Sequence, residues 1–259
     1  MSDSVPRIAS DAVRPMIDIR DLHKSFDGFQ VLKGINLTIA EGTTTVVLGG
    51  SGSGKTVLMK HIMGLLKPDS GSVWVDGEDV TAMDRQKLAV FRERMGMVFQ
   101  SAALFDSMTV GDNVAFPLRE HTKMPEDEIA QRVKDKLAVV DLIDVEKKFP
   151  AELSGGMRKR VGLARAIIRD PKIVLYDEPT TGLDPLTTES VDEMIINARQ
   201  RLRVTSVVIS HDIGSAFHIG DNIAMLHHGV IVEQGPPSQL RKSSEPHVKE
   251  FISTWFGRQ

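Results

Sequence analysis

Apolar and polar positions alternate along Ile17-Asp18-Ile19 and again along Ile35-Asn36-Leu37-Thr38-Ile39. That is the period of strands with one buried face. Asp27-Gly28 between them supplies a turn. Thr43–Leu48 is an unbroken, β-branched run, which predicts a strand buried on both faces. A glycine-rich loop follows at once, and then a predicted helix, Val57–Leu66. From about Asp84 to Asp170 the pattern becomes helical and more charged. Glu126–Val140 places Ile129, Val133, Leu137 and Val140 on one face, and Pro125 suits the first turn. Strand-sized runs return at Lys172–Tyr176 and Thr205–Ser210, on either side of a helical stretch, Leu186–Arg203. Ile223–Leu226 and Val230–Glu233 around His-His-Gly read as a hairpin. The chain therefore reads as an α/β core in two pieces, residues 16–83 and 171–235. A mostly helical insert, 84–170, interrupts it, and residues 1–15 and 236–259 are tails.

Composition narrows the classes. The chain has 259 residues, 41% of them hydrophobic and 26% charged, which suits a globular protein and excludes a disordered or fibrous one. A net charge of −3 gives no basic footprint, so no nucleic-acid partner is expected. With no cysteine, thiol nucleophiles, thiolate metal sites and disulfides are excluded. The longest apolar runs are strand-sized, and Met1–Pro15 lacks the apolar core of a signal peptide. Work at a membrane would then go through a partner.

Gly49-Gly50-Ser51-Gly52-Ser53-Gly54-Lys55-Thr56 fits G-x-x-x-x-G-K-S/T, between a predicted strand and a predicted helix. Glycines let backbone N–H groups curl around phosphate oxygens, and the helix N-terminus adds partial positive charge. Lys55 reaches the β- and γ-phosphates of a nucleotide, and the Thr56 hydroxyl suits Mg²⁺. The expected nucleotide cradle runs from Gly49 through Thr56 to Val57. Ile173–Tyr176 ends in Asp177-Glu178. Ligands of an open α/β sheet bind beyond the carboxyl ends of its strands. Asp177 thus takes the place of a Mg²⁺-holding residue, and Glu178 that of the residue polarising the attacking water. A second glycine motif, Leu153-Ser154-Gly155-Gly156-Met157, opens another helical run, with Ser154 as its N-cap. A chain with one complete phosphate loop has use for a second phosphate-binding helix end if that end serves another subunit. Two copies about a two-fold axis would give each nucleotide one loop and one such motif.

The order of these features resembles the ATPase subunit of ABC transporters. It comprises the phosphate loop, Gln100 after an apolar strand, LSGG, a strand ending in Asp-Glu, Gly182-Leu183-Asp184, and Ser210-His211 after another strand. The resemblance covers about Met16 to Gly235. It implies a P-loop NTPase fold, a RecA-like core with an antiparallel β part, plus a mostly helical signature subdomain. It also implies ATP and Mg²⁺ as ligands. Phe26 matches the aromatic that stacks on adenine. Gln100 resembles the residue linking Mg²⁺ and the attacking water to the transporter interface. Asp184 resembles the residue coupling two sites across a dimer, and His211 the switch histidine at the γ-phosphate. Ser154 and Gly156 match the signature contacts to the partner's nucleotide. Most of the family has Gln after LSGG, where this chain has Met157.

Within that family, Gln100–Leu118, Arg119-Glu120-His121-Thr122, LSGGM followed by Arg158-Lys159-Arg160, and Glu245–Ile252 resemble the ATPases of Mla/Mce-type phospholipid-trafficking systems. The resemblance implies an integral membrane permease, an MCE-domain lipid-binding protein and a second copy of the ATPase as partners. It also implies a place at the cytoplasmic face of a bacterial inner membrane. The rival readings are another ABC importer or exporter, for amino acids or a drug, a non-transport ABC ATPase, and a P-loop kinase. Leu104, Phe105, Met108 and Val110 are expected to line a groove for a short permease helix. Phe251, Trp255 and Phe256 are expected to dock either on this chain's own core or on a second copy.

Overall fold

The computed structural model describes residues 14–256, with side chains through residue 253. The readings made on Met1–Val13, and on the side chains of Trp255 and Phe256, lie outside the described residues. Strand β1 (Pro15–Phe26) pairs antiparallel with β2 (Phe29–Ala40). Asp27 and Gly28 turn the chain between them at φ +49° and +82°, as the dipeptide predicts. Strand β3 (Thr44–Leu48) is buried along its whole length. Helix α1 (Lys55–Ile62) leads to β4 (Ser70–Val75) and the short β5 (Glu78–Asp79). These close a four-stranded sheet, in the order β2-β1-β4-β5. The expected helix to Leu66 stops four residues early, because Gly64 takes φ +61° where a Cβ would meet the Leu88 side chain at 2.4 Å.

Helix α2 (Arg85–Arg92) precedes strand β6 (Met95–Val98). Helices α3 (Val110–His121), α4 (Glu126–Val139) and α5 (Gly155–Ala166) follow. The Thr109 hydroxyl caps α3 by accepting from the Asp112 N–H at 3.1 Å. Helix α4 places Glu126, Asp127 and Glu128 in its first turn, against the positive end of the helix, and buries Ile129, Val133 and Leu137 on the predicted face. Helix α5 begins three residues before the predicted run, at the glycines themselves, with Ser154 as cap.

Strand β7 (Ile173–Asp177), helix α6 (Pro185–Leu202), strand β8 (Thr205–Ser210), helix α7 (Ile213–Ile219), and the hairpin β9 (Asn222–His227) with β10 (Val230–Gly235) complete the core. The second sheet runs β10-β9-β3-β8-β7-β6, parallel throughout except for β10 at its edge. Successive residues of its strands point to opposite faces. Val46, Leu48, Val174, Tyr176 and Val208 pack among the helices. Val47, Ile173, Leu175, Val207 and Ile209 pack against α1 and the antiparallel sheet. Burial on both faces explains why these strands read as unbroken apolar runs rather than alternating ones.

Two expectations need adjusting. Strand β6 lies inside the stretch read as the helical insert, yet it pairs with β7 as a full member of the main sheet. An apolar strand is expected just before Gln100, but its place in the main sheet is set by pairing with β7, which local pattern does not record. The C-terminal stretch is no loose tail in the described residues: α8 (Pro237–Leu240) and α9 (Pro246–Phe256) bury Leu240, Val248 and Ile252 in the helix-side core. Of the three aromatics expected to dock, Phe251 packs partly against the chain's own core.

Candidate functional site

Parallel strands deliver their carboxyl ends to one edge of the sheet, and Leu48, Asp177 and Ser210 end there together: Leu48 lies beside Ser210, and Asp177 beside Ile209. The loop after β3 needs its glycines for space. A Cβ on Gly49 would sit 2.3 Å from the Leu226 carbonyl oxygen. Gly54 takes φ +109° at the start of α1 and offers no side-chain cap, which leaves the first N–H groups of the helix for a ligand. Lys55 is almost wholly buried, and its ammonium donates to the carbonyls of Gly49 (2.8 Å) and Gly50 (3.0 Å). The same nitrogen lies 3.5 Å from a Glu178 carboxylate oxygen.

Glu178 is held from several sides. Its backbone takes φ +49°, a left-handed conformation unfavourable for a residue with a Cβ. Its N–H donates to Ile209 O at 3.0 Å. Its Oε2 accepts from the Thr181 hydroxyl (3.0 Å) and stands 2.7 Å from His211 Nδ1. Burial, then the neighbouring Glu178 carboxylate, push Asp177 above the ordinary carboxylate range; Lys55 and Lys60 pull it partly back. Such a carboxylate gains by meeting a cation. Thr56 and Gln100 line the nucleotide cavity, whereas Asp177 and Gly49 are not among its lining residues. A carboxylate, a threonine hydroxyl and a side-chain amide oxygen are the hard oxygen donors that suit Mg²⁺.

Gly50 to Val57, Gln100, Glu178 and His211 share one cavity of about 790 Å³. The structure thus brings together most residues predicted for nucleotide binding and catalysis. Phe26 is not among the residues lining that cavity; it stands 41% exposed at the β1–β2 turn, with the Lys24 ammonium 5.4 Å from its ring. Ser154, Gly156 and Asp184 line a separate hollow of about 540 Å³. There Ser154 Oγ accepts from Met157 N–H at 3.2 Å, and Asp184 Oδ1 accepts from the N–H groups of Leu186 and Thr187, each at 3.1 Å. One chain therefore keeps its phosphate loop and its second glycine motif apart. Thr181 and Phe251 also border the nucleotide cavity. The sequence singles out Phe251 as a docking aromatic, not as a neighbour of the nucleotide, and does not single out Thr181. Thr181 follows Asp177-Glu178 closely enough to have been suspected. Phe251 sits more than 70 positions beyond Glu178, with no local signal.

A third hollow, of about 730 Å³, opens between α2, β6, α3 and α5. Phe99, Phe105 and Phe116 line it, and the rings of Phe105 and Phe116 lie 5.1 Å apart at 53°. Of the four residues expected to form this groove, only Phe105 lines it. Val110 is fully buried at the start of α3, and Leu104 packs against the core.

The sequence profile described as "ABC transporter" matches residues 32–181, more than half of the chain. The chain belongs to the ABC transporter family. This ABC ATPase is 44% identical over 237 residues to the "probable ribonucleotide transport ATP-binding protein mkl" of Mycobacterium tuberculosis, covering 92% of this chain and 66% of that one. It is 40% identical over 241 residues to the "intermembrane phospholipid transport system ATP-binding protein MlaF" of Escherichia coli, covering 93% of this chain and 90% of the other. Among solved structures, the ATP-binding cassette MJ0796, a post-hydrolysis dimer bound to ADP and phosphate, matches with a TM-score of 0.77 and 31% identity, over 86% of this chain and 99% of that chain. The P-loop NTPase fold, with mixed sheets and a helical part, is therefore the family's. The ABC ATPase binds ATP, and cassettes of this family dimerise and serve membrane permeases.

Proposed function

We propose that this ABC ATPase powers phospholipid trafficking between the inner and outer membranes, with a permease and an MCE-domain protein as partners. The observation that carries the proposal is the 40% identity to MlaF across 90% of that protein's length. It is supported by the Gln100–Leu118 and LSGGM segments that resemble Mla/Mce-type ATPases. No helix among the described residues is long and apolar enough to cross a membrane. On this reading, which rests on the family, the chain works from the cytoplasmic face and the permease supplies the span. The cleft of Phe99, Phe105 and Phe116 receives a short helix of that permease.

The mechanism follows from the cradle. Phosphate oxygens of ATP displace the Gly49 and Gly50 carbonyls from the Lys55 ammonium and take the free N–H groups at the start of α1. Phe26 stacks on the adenine, and its exposed ring leaves a face open for that contact. Thr56, Asp177 and Gln100 would hold Mg²⁺, which supplies neutralisation of charge on the transferring phosphoryl group. Glu178 orients the attacking water and takes up its proton. Thr181 and His211 fix that carboxylate in place. Since Ser154, Gly156 and Asp184 stand in their own hollow, they close on the nucleotide of a second copy. Catalysis is then mainly positioning and electrostatics. The division into a two-part core, a helical signature subdomain and terminal segments serves this closure.

The test is affinity isolation of the tagged chain from native membranes, with mass spectrometry of proteins and bound small molecules. A permease, an MCE-domain protein and phospholipid together are expected. A permease without an MCE-domain protein, carrying a ribonucleotide in a site outside the ATPase, would instead favour the function printed for the mycobacterial relative.

A further inference from the structure

Helix α5 begins with the second glycine motif, but three residues further along it belong to none of the roles above: Lys159, Gly162 and Arg165, three apart. All three meet the segment Gln100–Ala103. The Lys159 ammonium donates to the Gln100 carbonyl oxygen. Lys159 is only 6% exposed, and burial, with no carboxylate contributing, pushes it below the ordinary lysine range. Gly162 lets the helix come close, since a Cβ there would stand 3.2 Å from the Ala102 Cβ. The two Arg165 Nη atoms donate to Ala103 O (2.8 Å) and Ala102 O (2.7 Å).

The gripped segment is strained. Ala102 and Ala103 take φ +61° and +46°, consecutive left-handed residues that carry a Cβ. Such a conformation persists only where its surroundings hold it. A buried ammonium without a counter-ion is itself unfavourable. Two unfavourable features in contact, at the entrance of a catalytic cavity, are better explained by positioning than by stability. Gln100 lies at one end of the segment, in the nucleotide cavity. Ala103 and Arg165 lie at the other, in the aromatic cleft.

We propose that Lys159 and Arg165 are positioning residues that hold the Gln100–Ala103 segment in its strained form, and so set Gln100 in the nucleotide cavity. The proposal rests on the reading of Gln100 given above. A helix entering the cleft would touch Arg165 directly, and so bear on the same segment.

The test compares the purified full-length chain with its variants, by phosphate release, affinity for a fluorescent ATP analogue, and thermal unfolding. Lys159→Met keeps the length and apolar character and removes the donor; it should lower kcat about tenfold, the worth of one net hydrogen bond. Nucleotide affinity should stay within about twofold and Tm should not fall, since an unpaired buried charge is gone. Lys159→Gln restores a donor and should recover most of the turnover. Arg165→Lys, which keeps the charge but loses the paired bonds, gives an independent loss in kcat. The double variant Gln100→Ala/Lys159→Met should be no slower than Gln100→Ala alone. Wild-type kcat in Lys159→Met beside a slow Gln100→Ala would overturn the positioning role alone. A kcat loss that tracks a fall in Tm, without rescue by Gln, would overturn it too. Wild-type turnover in Gln100→Ala would remove the reading of Gln100, and the proposal with it.

Discussion

Replacing Glu178 by Gln keeps the shape of the side chain and removes one charge. The amide can still meet Thr181 Oγ1 and His211, which now stand 3.0 and 2.7 Å from the carboxylate. Lys55 loses a neighbour at 3.5 Å but keeps the carbonyls of Gly49 and Gly50, so the loop should stay formed. The stability cost should therefore be small, about 1 kcal/mol for one altered charged hydrogen bond. ATP affinity should change by no more than about threefold, because the phosphates meet Lys55 and backbone donors rather than Glu178. The lost capacity is proton uptake from the attacking water, which is typically worth about 10²–10⁴-fold in rate, or about 3–5 kcal/mol in the barrier. Single-turnover phosphate release, a fluorescent ATP analogue and a thermal melt read the three quantities separately. A kcat within tenfold of the parent, with a normal melt, would refute the assignment of Glu178 as the base.

Gly49→Ala should abolish ATP binding and lower Tm, because its Cβ would stand 2.3 Å from the Leu226 carbonyl; calorimetric titration with ATP checks it, and near-normal affinity would refute the packing argument. Phe105→Asp should release the permease while ATP binding and Tm hold, since the ring is 45% exposed in the cleft; co-purification with the permease reads the outcome. Asp192, 3% exposed between α6 and α7 and bonded by Ser215, has its pKa pushed up to about 6, mainly by burial. The folded chain thus binds a proton there that the unfolded chain releases above about pH 4. This group therefore adds stability as pH falls through about 6, and loses that contribution as pH rises. Asp192→Asn should flatten the dependence of Tm on pH between about 4 and 6; an unchanged slope would count against it.

How much the sequence disclosed follows the range of the forces involved. The phosphate loop, the Asp-Glu pair and the LSGG cap are local motifs whose backbone demands are written in adjacent residues: Gly50–Val57 and Glu178 line one cavity, and Ser154 caps α5. The buried strands Thr44–Leu48 and Thr205–Ser210 were legible because burial on both faces leaves apolar runs. The apolar strand before Gln100 was legible, but that Met95–Val98 belongs to the main sheet rather than to the helical insert was not, because only its pairing with β7 defines that. The aromatic cleft was half read: the apolar residues after Gln100 were visible, but which of them point inward depends on where α3 begins, and that put Val110 in the core and left Phe105 outside. Phe251 reaches the nucleotide cavity from α9, through packing that no spacing records.

The separation of the Ser154 hollow from the phosphate-loop cavity bears on how activity scales with amount. If each nucleotide needs a loop from one copy and a cap from another, a dilute chain without its permease is half an enzyme. Its rate per molecule should then climb with concentration and level off only once pairs predominate. Mixing in a chain damaged at Ser154 should silence the partner's loop while sparing its own, so such chains should depress total output in proportion to their share, and a steeper fall would mean that the two sites of a pair fire only together.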